Sequence, residues 1–188
     1  MSAIKIKVKK ATGDYDLGCS KMLGSPTVPQ EIVDELPAET MFLMQIRLED
    51  IKDLDKENLL PHKGYLYVFL DVTDDIYDMH PIVKYYDGEP ESIYNDFNEE
   101  IEGFENFVDD FIIEFEECED DATGNKLLGC AGDWQFGEEE GGKLFLQIDP
   151  LDDNEMGLFP TFDGYIYLFF DEEEPSDFDK IRIVEDFS

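Results

Sequence analysis

Two histidines (His62 and His80), three cysteines (Cys19, Cys118 and Cys130) and 48 carboxylates are the side chains with which this 188-residue chain could do chemistry. Their spacing selects little of it. No G-x-S-x-G elbow presents a nucleophile, and neither common glycine-rich phosphate loop occurs. Cys19 and His80 could be imagined as a thiol–imidazole dyad, but no local motif joins them. His62 stands in a turn, where a surface histidine is ordinary. An odd number of cysteines without a C-x-x-C pair argues against a disulfide framework or zinc ribbon, and for reduced thiols packed as small apolar groups. Acid pairs can hold Ca²⁺ or run glycoside chemistry. Yet Asp149–Glu155 and Asp171–Glu174 lack the ordered calcium-loop spacing, and in a chain so acidic such clusters arise from composition. The reading is no catalytic residue, no metal site and no cofactor.

Weaker candidates for binding remain. Asp71 and Asp171 close two similar segments, Gly64–Asp71 and Gly164–Asp171, and could either face one cleft or terminate their strands. Tyr65 and Tyr165 follow the leading glycines, where a covered phenol must find a partner. Trp134, the single tryptophan, sits in a loop and is the first residue to test as an aromatic anchor. Gln45 and Gln147 each place an amide inside an apolar run, which costs free energy unless both ends are paired. With Gly64 and Gly164 they form a structural signature rather than a site.

The elements that position these residues recur. Lys21–Gly24, Phe42–Ile46, Leu60–Asp71 and Val83–Tyr86 match, in order, Lys126–Gly129, Leu144–Ile148, Phe159–Asp171 and Ile181–Val184. Four collinear matches imply an internal duplication. Gly64–Asp71 and its counterpart are apolar on both faces, as strands buried on both sides are. Ile4, Ile6 and Val8 alternate with lysines in another strand. Glu49–Asn58 reads as a short helix. Phe97, Ile101, Phe104, Val108 and Phe111 recur at spacings of four and three, which predicts an amphipathic helix. Asp120–Asn125 and Gly137–Gly142 read as loops. The expected fold is α+β and sheet-rich: a single domain over 1–188 of duplicated β units related by a pseudo-twofold, with few short helices. The repeats run approximately over 1–90 and 111–188, joined by an acidic segment 91–110.

Forty-eight acids against 14 bases leave a formal charge of −34. Phosphate-driven nucleic-acid binding is therefore excluded, since that affinity comes from Lys and Arg. No apolar run is long enough to span a membrane and no export signal precedes the first strand, so cytoplasm is the expected location. Aromatic residues at 13% argue for a packed core rather than disorder. Between Lys84 and Lys126 lie 16 carboxylates and no base, so the middle of the molecule carries a strong negative field.

Gly24-Ser-Pro26, Phe42–Leu48, Leu60–Phe69, Lys126–Gly129, Leu144–Asp149 and Phe178–Arg182 together resemble the YwqG family, a bacterial domain of unknown function. The likeness covers most of the chain from about Lys21 onward. It implies an α+β or mostly β domain with a duplicated sheet unit, and it supplies no catalytic residue. Thr27–Thr40 is shorter than the family's corresponding stretch and lacks its tryptophan, and Gly129-Cys-Ala replaces the family's Gly-x-Pro. The functional expectation is a non-enzymatic binding protein for a basic partner, such as an inhibitor or immunity-type protein. The alternative is an enzyme or small-ligand binder using acids in a cleft between the repeats.

Overall fold

Period-two alternation of large apolar side chains puts most of this chain into strands, and the order of those strands places the candidate residues. The computed structural model describes residues 2–73, 79–95, 97–99, 101–132, 142–152, 155–158 and 161–187. Its strands are β1 (Ser2–Lys10), β2 (Lys21–Met22), β3 (Thr40–Arg47), β4 (Tyr65–Asp71) and β5 (His80–Tyr86). They are followed by β6 (Phe111–Glu119), β7 (Lys126–Leu127), β8 (Leu144–Ile148), β9 (Gly164–Phe169) and β10 (Arg182–Phe187). All ten join one sheet in the order β10-β9-β8-β7-β1-β6-β2-β3-β4-β5. That order is unchanged when it is reversed and β1–β5 are exchanged for β6–β10. The central β1–β6 pairing is centred on Ile6 opposite Phe115.

The sheet curls into a nearly closed barrel, with 36% strand against 6% helix. The expectation of an α+β fold is thereby corrected: the protein is almost entirely antiparallel sheet. Among the described residues its helical content is one turn, α1 (Gln30–Val33), with 3-10 turns at Leu48–Asp50 and Phe178–Lys180. The helix expected over Glu49–Asn58 is that first 3-10 turn followed by further turns. The helix expected over Phe97–Phe111 is a run of three-residue turns, in which Ile101, Phe104 and Phe107 donate to the carbonyls of Asn98, Ile101 and Phe104. Period three buries Ile101, Phe104 and Phe107 and leaves Val108 41% exposed. Asn98 dictates this by reaching out of the segment. Its side chain accepts from Phe42 N at 2.8 Å and donates to the Phe42 and Phe107 carbonyls at 3.0 and 3.1 Å.

Inside the barrel lie Ile4, Ile6, Met44, Ile46, Leu66, Val68, Ile113, Leu146, Ile148, Ile166 and Leu168. The opposite face of β4 carries Tyr65, Tyr67 and Phe69, covered by Val28 and Ile32 of the Ser25–Leu36 segment with Tyr94 and Phe97. The matching face of β9 carries Tyr165, Tyr167 and Phe169. Both β3 and β8 shift register by one residue, between Phe42 and Met44 and between Leu144 and Leu146. Such a bulge turns the strand locally and sharpens its twist. The edge strands β5 and β10 approach each other across the 3-10 turn at Phe178–Lys180, where Lys84 Nζ lies 3.0 Å from Asp179 Oδ1.

Candidate binding site

β2 and β7 are two residues long, yet each begins with a wholly buried lysine, Lys21 or Lys126, placed opposite Gln45 or Gln147 on the next strand. Each strand then turns sharply through a leucine and a glycine at positive φ, Leu23–Gly24 and Leu128–Gly129. Left-handed backbone disfavours leucine by roughly 1–2 kcal/mol. Burial of both leucines in the barrel holds the turns in place. A Cβ on Gly129 would stand 2.5 Å from the Asp120 carbonyl oxygen, so only glycine fits there.

The glutamines bind the loops that follow. Gln45 Oε1 accepts from Thr27 N at 2.8 Å, and its amide donates to the Leu17 and Cys19 carbonyls at 3.2 and 2.8 Å. Gln147 Oε1 accepts from Gly132 N at 2.8 Å, and its amide donates to the Gly124 carbonyl at 2.8 Å. The lysines part company. Lys21 Nζ pairs with Asp110 at 2.8 Å, whereas Lys126 Nζ donates to the Asp120 and Cys130 carbonyls at 2.8 and 2.6 Å. Without a close carboxylate partner, burial pushes the Lys126 ammonium below the ordinary lysine range.

Above Gln45 the loops at Asp16–Gly18 and Glu89–Ile93 enclose a cavity of about 290 Å³ beside Tyr65, Thr27 and Arg47. Tyr65 donates to Glu89 Oε2 at 3.1 Å. Burial, reinforced by that carboxylate, raises the Tyr65 phenol well above its ordinary value. Arg47 donates to Asp50 Oδ1 at 3.0 Å and Asp16 Oδ2 at 2.8 Å. Partial burial works against its charge, but the two carboxylates outweigh it and hold the guanidinium protonated. The corresponding corner of the other strand set is smaller, about 90 Å³, and is lined by Tyr165, Asp149, Asp163 and Asp186. Asp149 stands where the first corner has Arg47, two residues past the glutamine in each case. Tyr165 donates to Asp149 Oδ2 at 3.0 Å.

Tyr65 and Tyr165 thus line cavities, and separate ones. Asp71 and Asp171 line neither. Asp71 Oδ1 accepts from Thr73 N and Oγ1 at 3.0 and 2.6 Å. Asp171 Oδ1 accepts from Glu173 N and Glu174 N at 3.0 and 2.9 Å. Each carboxylate closes a turn at its own strand end. Gly64, at φ 84, is needed because a Cβ would run into the Tyr86 carbonyl, whereas Gly164 pairs with Phe187 as ordinary strand. Trp134 and the segment Gly137–Gly141 lie outside the described residues.

Cys19 and His80 do not meet. Cys19 neighbours Lys21 and Arg47, and Arg47 pairs across β4 with Tyr65, which faces Tyr86, the far end of β5 from His80. Burial raises the thiols of Cys19, Cys118 and Cys130. Among the described residues no three carboxylate, imidazole or thiol groups converge as metal ligands. Nor, among them, is any helix long and apolar enough to cross a membrane.

Two features escaped the sequence reading. Asp55, fully buried, accepts from Leu60 N at 2.9 Å and lies 3.3 Å from His62 Nε2, so His62 is a tethered side chain and not a loose surface one. A single arginine in a strand carries no motif, so the role of Arg47 is not legible in the sequence. Its only signal was its place two residues beyond Gln45, where the second copy has an aspartate. Compared with known protein families and with curated proteins, the chain finds no match.

Proposed function

We propose that this is a non-enzymatic, YwqG-like interaction protein of the bacterial cytoplasm, whose partner is a basic protein. The supporting observation is how its few cations are spent. Of the 14 bases, Lys5, Lys7, Lys10, Lys21, Arg47, Lys63, Lys84, Lys143 and Lys180 each lie within ion-pair distance of a carboxylate of the same chain. Positive charge is thus neutralised where it stands, and the excess acid is left to act outward. A field of that sign accelerates association with basic surfaces and weakens as salt rises. An inhibitor that occupies the basic cleft of a nuclease or other nucleic-acid-binding protein is the narrowest form of this reading.

The alternative is an enzyme or small-ligand binder using acids in a cleft between the repeats; its two candidate acids, Asp71 and Asp171, each close a turn at their own strand end, which favours the first reading. The test is affinity capture on the immobilised chain at about 50 mM and 500 mM salt, a range spanning a large change in screening length. Retained proteins of basic isoelectric point, released at the higher salt, are the expected result. Nothing retained, together with a metabolite-induced thermal shift, overturns the reading.

A further inference from the structure

We propose that an apolar groove, lined by Val33, Leu36 and Pro37 from one stretch of chain and by Ile93, Tyr94 and Phe97 from another, docks the apolar face of a basic, amphipathic segment of the partner protein. This deepens the reading above and rests on it.

The groove measures about 520 Å³, inside the range of sites that hold a ligand. Its walls are built into the fold. Phe97 packs edge-on against Phe42 of β3 at 6.3 Å and tilted against Phe69 of β4 at 5.8 Å. Tyr94 N donates to the Pro26 carbonyl at 3.1 Å, and the Tyr94 hydroxyl donates to Gln30 Oε1 on α1 at 2.5 Å, which ties the two stretches together. A site held open in this way loses little freedom when it is filled. Val33, Leu36, Ile93, Tyr94 and Phe97 nevertheless stay partly exposed, so apolar surface faces water on a chain otherwise rich in charge. Such a patch, rimmed by polar residues, marks an interaction surface.

Charge says what covers it. Neither stretch holds a lysine or arginine: there is none from Met22 to Ile46 and none from Tyr85 to Asn125. The four bases that bound those stretches are engaged elsewhere. Lys21 pairs with Asp110, Arg47 with Asp16 and Asp50, and Lys84 with Asp179, while Lys126 serves backbone carbonyls. Asp34, Glu35, Glu39 and Glu99 alternate along the chain with the lining residues and are exposed. Among the described residues none of these four acids has an ion-pair partner. Asp34 accepts from the Gln30 amide at 2.7 Å, which leaves its charge in place. Burial, helped by the charge of Asp34, raises the Tyr94 phenol, so that carboxylate acts on the groove itself. A second copy of this chain would bring acid against acid, and a neutral apolar molecule would leave the rim unanswered. A segment with apolar side chains along one face and lysine or arginine beside them answers both features.

The experiment follows the amide spectrum of the chain by NMR in low salt as a synthetic helical peptide is added, with leucines along one face and lysines along the others. Two control peptides replace the leucines by serine or the lysines by glutamine. Saturable shifts at Leu36, Ala38, Ile93 and Tyr94 are expected with the first peptide and none with the serine peptide. The glutamine peptide should bind about tenfold more weakly. Ala38 lines the groove and is exposed, so Ala38→Trp should block it and abolish those shifts while the melting temperature holds. Glu35→Gln combined with Glu39→Gln, both on the surface, should weaken binding about threefold and flatten its salt dependence. Glu173→Gln, on a turn at the end of the other strand set, should change nothing. Equal binding of the leucine and serine peptides would overturn the groove, since charge alone would then suffice. Equal binding of the leucine and glutamine peptides would overturn the basic occupant, and shifts that grow with protein concentration alone would give the groove to a second copy instead. If the Ala38→Trp chain still captured basic proteins as fully as the parent, the groove would fail and the broader reading would stand. If the parent captured none, the broader reading itself would fail.

Discussion

At the scale of single residues, the buried amides of Gln45 and Gln147 are the most consequential polar groups in the molecule. Each joins a strand to two loops by binding their backbone amides and carbonyls. Leucine at either position keeps the volume but strands those buried donors and acceptors. Each change should cost about 2–4 kcal/mol, from a penalty of about 1–3 per unsatisfied group. Urea titration at neutral pH checks this, with an unchanged midpoint as the contrary result. Gln45→Leu should also loosen the loops around the Tyr65 cavity, seen as faster amide exchange at Thr27 than at Gly132. The paired recurrence of a glutamine in an apolar strand was legible in the sequence as a structural duty. The asymmetry between the two inner phenols was not, because Tyr67 and Tyr167 occupy matching sequence contexts and differ in whether the loop brings a carbonyl within reach.

At the scale of elements, strands were legible and helices were not. Alternation along Ile4–Val8 and double-sided apolar runs at Tyr65–Asp71 and Gly164–Phe169 mark β1, β4 and β9, since period two with strong β formers has few other solutions. The Phe97–Phe111 periodicity misled because five aromatic and aliphatic residues fit a helical stripe and a chain of three-residue turns nearly as well. What decides between them is Asn98, whose partners lie on β3 and cannot be read locally, and Gly103, which adopts φ 89 and breaks any continuing helix. Asn98→Ala should therefore release the segment from β3. A loss of about 2–3 kcal/mol is expected from the three hydrogen bonds removed, with faster amide exchange at Phe42. Retained protection at Phe42 would show that the turns hold without it.

At the scale of the whole molecule, charge and buried titrating groups set how stability responds to solution conditions. Most of the ion pairs are at least partly exposed, and such pairs contribute at most about 1 kcal/mol each. The repulsion within a chain of charge −34 is the larger effect. Added salt should therefore raise the melting temperature by several degrees between about 20 and 500 mM, even as it releases a basic partner. A fall would mean that the pairs dominate. Alkaline pH acts in the opposite direction. The thiols of Cys19, Cys118 and Cys130 and the phenols of Tyr15, Tyr65 and Tyr67 are held protonated in the fold, chiefly by burial. The unfolded chain gives up those protons first, so stability is lost as pH rises past about 8.5 for the thiols and about 10 for the phenols. Lys126, lowered by burial, works the other way over the range beneath the ordinary lysine value. It is one group against six, so the urea midpoint should fall above about pH 9. Lys126→Met should steepen that fall, and a flat profile would contradict the burial of these groups.

The order of strands at the centre of the sheet carries one more consequence. β1 lies between β6 and β7, and β6 between β1 and β2, so each of these long strands is flanked only by strands of the other set. A polypeptide with a single five-strand set would hold both a gap and the piece that fills its neighbour's gap. Two such molecules could close around each other as an intertwined pair, and a backbone cut between Tyr86 and Phe111 should leave fragments that reassemble on mixing.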